Sequence, residues 1–287
     1  MKLNVRTTWD QLFAKNPMMV EINRFRKRFL SFRGSSVAIN GGIGIVLVIY
    51  ALFAISCVYF RGEFDPLILL TLFVGLMLFV IPLLVHSSIA GERERRSWEM
   101  LLVAPISHAQ IIVGKFVGGF AGFGMAFGLF LIPVFIDAAS YPNVDAINLL
   151  LGILTVIAQG ASLIAMTLLI SSRVKRPIIA LAVSIAVVMV VFFFIPIFVQ
   201  ALRTFGGNFV TGMISPFEVL QRLSPNERRD FADDQSFSVQ SLGAYTLVFG
   251  FLVYQLIITV SLLVWATKTL VYADHEVKFL SKSKRHA

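Results

Sequence analysis

The chain has one cysteine, Cys57, set inside a long apolar run, so it closes no internal disulfide and the thiol reads as a small packing group. Its four histidines, His86, His108, His275 and His286, are scattered, and none pairs with cysteine or carboxylates at ligand spacing, which argues against a metal site. Neither HExxH nor GxSxG occurs, so zinc-peptidase and nucleophile-elbow chemistry are excluded. Gly114-Lys115-Phe116 lacks both the upstream glycine and the following Ser/Thr of a phosphate-binding loop. The chain therefore does not bind ATP in that manner by itself. Charged residues are only 14% of the sequence, and no basic patch is interleaved with aromatics on a soluble domain, which argues against nucleic acid. No 20–50-residue repeat, inverted symmetry or low-complexity segment is visible.

What fills the sequence instead is apolar. Hydrophobic residues make up 57%, phenylalanine alone occupies 27 positions, and mean hydropathy is +0.82. One soluble core of 287 residues could not bury that much. Six runs, Val37 to Phe60, Leu67 to Ala90, Phe116 to Ile136, Ile147 to Ile170, Pro177 to Ala201 and Leu242 to Ala266, approach the roughly 20 residues that cross a bilayer as a helix. Backbone groups in lipid must be satisfied within their own segment, so the expected fold is an all-α integral membrane bundle of six transmembrane helices over 37–266.

The runs are nearly free of ionisable groups. His86 lies near the end of the second and Asp137 ends the third, with Gln159, Gln200 and Gln255 as the other notable polar residues. An ion-coupled carrier or membrane enzyme needs buried titratable residues. His86 is the best candidate for such a role, against an interfacial or helix-capping histidine. Glycines crowd the third run, where Gly118/Gly122 and Gly124/Gly128 form small-xxx-small pairs suited to close helix packing.

Six spans put both termini on one side. Residues 1–36, 91–115, 173–176 and 267–287 then share that side and hold 8, 4, 3 and 5 of the 25 Lys/Arg; Arg61, Arg203, Arg222, Arg228 and Arg229 are left for the other. The positive-inside rule places both termini in the cytoplasm, giving a multi-pass protein of the plasma (inner) membrane. Topology and anionic lipid contact account for the net charge of +9. The first 36 residues are basic, lack a cleavage pattern and are expected to stay attached. Within them Asn16-Pro17 starts a helical pattern with apolar residues including Met18, Ile22, Phe25 and Phe29, and with Glu21, Arg24 and Arg28 among its polar positions. This reads as an amphipathic helix lying in the interface, or more simply as a basic anchor. Residues 267–287 form a basic cytoplasmic tail.

The external connections at 61–66 and 137–146 are short, whereas 202–241 is long. Ser215-Pro216-Phe217-Glu218 and Ser224-Pro225-Asn226-Glu227 both match a capping box with proline at the first helical position, so two short helices are expected there. The loop either dips into the membrane, covering a pathway, or is a folded cap; the residues do not decide between these.

Between Gly91 and Lys115 the sequence reads GERERRSWEMLLVAPISHAQIIVGK, with seven charged side chains between two apolar runs. Glu92, Arg93, Glu94, Arg95 and Arg96 emerge first. Trp98, Leu101 and Leu102 then make an apolar ridge at helical spacing with Glu99 on another side, Pro105 stops the helix, and Ser107, after Ile106, is placed to cap the next. Such a helix suits a partner's groove. It equally suits the headgroup layer with Trp98 as an anchor.

The stretch resembles the signature of ABC-2 type transporter permease subunits, GE-[KR]-E-x-G-T-x-E-x-L-L-x-x-P-[IV]-S-x-x-x-[IL]-x-x-G-K. Gly91, Glu92, Arg93, Glu94, Glu99, Leu101, Leu102, Pro105, Ile106, Ser107, Ile111, Gly114 and Lys115 match, while Arg96 stands where a small residue is usual and Ser97 replaces the common Thr. Asn16-Pro17 and Ser215-Pro216-Phe217 are similar to the same family at corresponding places, and so is the order of spans. The resemblance implies a type V exporter-like membrane domain. Two six-helix subunits, as homodimer or heterodimer, would pair with two separate ATP-binding subunits that hold ATP and Mg2+, and this chain would itself bind no cofactor. Residues 92–106 would be the coupling helix seated on the ATPase. Pro17, Glu21, Arg24, Phe25 and Arg28 would belong to the interfacial helix, and Ser215, Pro216, Phe217 and Glu218 to an outer gate. The expected function is export of a substrate driven by the partner's ATP hydrolysis. The alternative is a membrane scaffold or assembly factor on the same fold, without transport of its own.

Overall fold

The computed structural model describes residues 50–56, 59, 65–94, 106–139, 145–195, 197–198, 215–224 and 237–283, the last helix with its side chains over 245–270. The described residues contain no strand. The elements are α1 (Pro66–Val85), α2 (Ser87–Glu94), α3 (His108–Ala138), α4 (Ala146–Arg173), α5 (Pro177–Met189), α6 (Pro216–Leu223) and α7 (Phe237–Ser283). Five stretches are long and apolar enough to cross a membrane: Pro66–Glu94, His108–Ala138, Ala146–Arg173, Pro177–Phe194 and Tyr245–Leu270. Of the run expected over 37–60, residues 50–56 are helical and most of the rest lies outside the described residues.

Polar caps set the helix starts. Asp65 Oδ1 accepts the Leu67 N–H at 2.9 Å, with Pro66 at the first helical position. Asp145 Oδ1 accepts the Ile147 N–H at 3.1 Å. The helix that carries the third run begins at His108, ahead of Phe116, because Ser107 and Gln110 form a full capping box: the Gln110 N–H donates to Ser107 Oγ at 3.2 Å, and the Ser107 N–H donates to Gln110 Oε1 at 2.8 Å. Beyond α5 the helix widens into a π-turn, Val190–Phe194, where the Ile195 N–H reaches back to Val190 O. Pro196 follows in the sequence and has no N–H to offer a regular ladder. The last helix runs on to Ser283, through most of the expected tail.

α4 is the hub and packs against each of the other labelled helices. Its most apolar window is 61% buried, against 22% for α5 and α7. The reason is its residue choice. Gly152, Thr155, Gln159, Gly160, Ser162, Ala165, Thr167, Ser171 and Ser172 are all buried on it, and small residues let helix backbones approach closely in lipid. A methyl added at Gly160 would lie 2.5 Å from Phe123 Cζ. Phe123 is part of an aromatic column at the α1–α3 contact, with ring centroids 5.7 Å apart for Phe123–Phe127, 5.1 Å for Phe73–Phe127 and 4.6 Å for Phe73–Phe130. Phe53 stacks on Phe130 at 5.6 Å, and the Tyr50 hydroxyl donates to Leu129 O at 2.8 Å, which fixes the 50–56 segment on α3.

On the third span, among the described residues, the close approach falls at Gly119. Methyls added at Gly118, Gly124 or Gly128 meet no described atom within 4 Å, whereas Gly119 has Ile164 Cγ2 at 3.2 Å and Val85 Cγ2 at 3.4 Å. The four-residue spacing is present, but the face turned to α1 and α4 is one position further along.

α1 and α2 are one span with a fault at His86, and α4 fills the fault. The Ser171 hydroxyl donates to His86 O at 2.7 Å and accepts the N–H groups of Ala90 at 3.0 Å and Ile89 at 3.2 Å. The hydroxyl thus bridges the first turn of α2 at the fault, and a side chain inserted into a helix ladder is a recognised cause of bending. His86 Nδ1 lies 2.9 Å from Leu83 O and 3.1 Å from Pro82 O. Carbonyls only accept, so Nδ1 carries the hydrogen and the ring is bonded to the end of its own helix.

Ser171→Ala leaves two buried N–H groups and a partly buried carbonyl without this partner and is expected to cost about 1–3 kcal/mol, read as a drop of several degrees in the melting temperature of the detergent-solubilised protein. An unchanged melt would mean the ladder reseals unaided. Gly160→Ala should cost about 1–3 kcal/mol by overpacking, with recovery on adding Phe123→Leu, while Gly128→Ala in the same assay stays near wild type.

Candidate coupling surface

The described parts of the 91–115 stretch are its two roots. α2 is held on α4 by Ser171, with Ile89 and Ala90 fully buried. One turn later the Glu92 carboxylate forms an ion pair with Lys115 Nζ on α3. The Lys115 side chain is 7% exposed and that of Glu92 22% exposed. A lysine this deeply buried needs an anion nearby, and Glu92 supplies it across the base of the loop. On the return side Ile106 packs on the core and Ser107 caps α3. Chain entry and exit are therefore tied to each other and to α4.

Of the residues expected on the partner surface, Glu92, Arg93 and Glu94 lie in the last turn of α2. Glu92 is engaged inside the chain, and Ile106 sits at the return root. Arg95, Arg96, Trp98, Glu99, Leu101, Leu102 and Pro105 lie outside the described residues, as do Pro17, Glu21, Arg24, Phe25 and Arg28.

At the opposite end of the bundle α6 closes over α1 and α4. Val219, Leu220 and Leu223 are fully buried, and a methyl at Gly152 would meet Leu67 Cδ2 at 2.7 Å and Leu220 Cδ2 at 3.3 Å. The capping box expected at Ser215 is not formed. Ser215 and Pro216 occupy the N-cap and first helical positions, but the Ser215 side chain makes no cap bond. Glu218 instead takes the Arg222 guanidinium at 2.7 Å, a charge-assisted i,i+4 pair that outcompetes a neutral N–H. Phe217 is partly buried against the core. Ser224, expected to open a second helix, gives its hydroxyl to Asp65 Oδ2 and so pins the end of α6 to the start of α1. The second helix expected beyond it falls outside the described residues.

A family model for ABC-2 family transporter proteins matches residues 59–226. The chain belongs to the ABC-2 transporter family. The match covers more than half of it, from the end of the first expected span through α6, and includes both roots of the charged stretch. As a member of that family the chain is a transmembrane subunit of an ABC transporter. No curated protein matches it.

Two further polar contacts of this ABC-2 subunit join residues far apart in sequence. Lys115 closes the signature as a single charge at the edge of an apolar run and pairs with Glu92. Gln159 and Gln255 stand out in sequence as polar groups within spans. In the structure Gln255 Nε2 donates to Gln159 Oε1 at 2.8 Å, tying α4 to α7 near mid-span.

Lys115→Met strands Glu92 at the loop base and should destabilise the subunit by about 1–3 kcal/mol, below the full cost of breaking a buried pair because Glu92 is partly exposed. Adding Glu92→Gln should recover most of that loss in a thermal melt. A double variant no more stable than Lys115→Met would show that the two side chains do not act as a pair.

Proposed function

We propose that this permease couples ATP hydrolysis by a separate nucleotide-binding subunit to export of its substrate, with the 91–115 stretch as the docking element. The observation that carries the reading is the clasped base of that stretch. Glu92–Lys115 and the Ser171 stitch make its roots part of the bundle, as a lever from a soluble motor requires. The charge asymmetry supports a cytoplasmic location for it. The lack of a phosphate-binding loop in the sequence supports a division of labour in which the partner holds ATP and Mg2+ and this chain holds no cofactor. The complete unit is then two permease subunits with two ATPases, set among membrane lipids. Each permease has six spans over 37–266, a cytoplasmic N-terminus with the interfacial helix over 1–36, and a cytoplasmic tail. α6 stands at the outer gate, where Ser215, Pro216, Phe217 and Glu218 begin it.

Trp98→Ala with Leu101→Ala is expected to weaken binding of the ATPase subunit at least about tenfold, the effect of losing about 1.4 kcal/mol, while the protein still inserts and melts normally. Full partner binding by the double variant would remove the docking assignment.

A further inference from the structure

At the end of the bundle that carries the loop roots, a cleft of about 270 Å³ opens between α4, α5 and α7, lined by Leu169, Ile170, Arg173, Val174, Val183 and Trp265. Its walls are apolar, and its rim is basic. The Arg173 guanidinium carbon lies 4.6 Å from the centroid of the Trp265 ring, so the side chain is placed by a cation–π contact. Lys175 and Arg176 follow in the α4–α5 turn, both exposed. Lys268 is exposed three residues after Trp265, on the same face of α7. None of these four cations forms an ion pair with a described residue. The carboxylates with described side chains at this end are Glu92, held by Lys115, and Glu94, both on α2.

We propose that this cleft is a binding site for a phospholipid with an anionic headgroup. The phosphate sits on Arg173 with Lys175, Arg176 and Lys268 around it, and an acyl chain lies against Ile170, Val183 and Trp265. Complementarity argues for this occupant. Unpaired cations at a membrane surface attract anionic headgroups, while an apolar slot opening between spans accepts hydrocarbon and repels a free soluble anion's water. A tryptophan at the junction of the two is at home at headgroup depth. The lipid would fasten α4, α5 and α7 together where the interhelical bond between Ser172 and Thr269, at 2.9 Å, already joins two of them. The proposal does not depend on the transport reading.

The chain has three tryptophans, so Trp9→Phe with Trp98→Phe leaves Trp265 as the sole emitter. In nanodiscs of phosphatidylcholine, brominated phosphatidylglycerol should quench it about fivefold more effectively than brominated phosphatidylcholine at equal mole fraction. Arg173→Gln/Lys175→Gln/Arg176→Gln should erase the difference, and soluble glycerol phosphate should not compete. Val183→Phe keeps every charge but narrows the slot, and should also lower the preference. Equal quenching by the two lipids, or a preference that survives both sets of substitutions, would overturn the site, as would displacement by glycerol phosphate.

Discussion

Hydrocarbon offers no hydrogen-bond partners, so a polar group carried into a membrane must find one on the protein itself. α4 is the helix on which this constraint falls hardest, because it buries Asn148, Thr155, Gln159, Ser162, Thr167, Ser171 and Ser172. Some are answered within the helix, as where Thr155 and Thr167 donate to carbonyls one turn back. The others answer neighbours: Tyr245 donates to Asn148, Gln255 to Gln159, and Ser171 repairs the break in the second span. Each bond fixes the position of another helix on α4. The small side chains that make this possible also bring the backbones close, which is why Phe123 lies over Gly160 and Leu67 and Leu220 converge on Gly152.

The two ends of the bundle inherit their geometry from that hub. At one end Ser171 holds α2, and Glu92 on α2 then meets Lys115 on α3, so the charged stretch leaves and re-enters the bundle at fixed points. At the other, α6 is held through Leu220 and through the Ser224–Asp65 contact. The proposed docking element and the proposed gate are thus anchored on opposite ends of one helix.

Much of this was readable in the residues. Apolar length marked each of the five spans, and Ser107, placed after Pro105, marked the start of α3. The charged stretch carried the family signature. What was missed follows from information that a single sequence spreads across distant positions. α3 carries several glycines, and which of them meets α1 and α4 depends on how those helices sit; among the described residues it is Gly119. Ser215 had the spacing of a capping box, yet Arg222, four residues beyond Glu218, supplied a stronger partner. Glu92 reads as a surface charge until Lys115, 23 positions away, is brought beside it.

The proposed coupling requires a soluble ATPase that seats on this ABC-2 subunit. The direct measurement is purification of the tagged chain from its native membrane in mild detergent, with mass spectrometry of what accompanies it and ATP turnover of the recovered complex. A co-purifying protein with a phosphate-binding loop is expected, with hydrolysis that is absent from the chain alone and present in the complex. Recovery of the folded chain with no such protein across several detergents, or ATP turnover by the chain by itself, would contradict it.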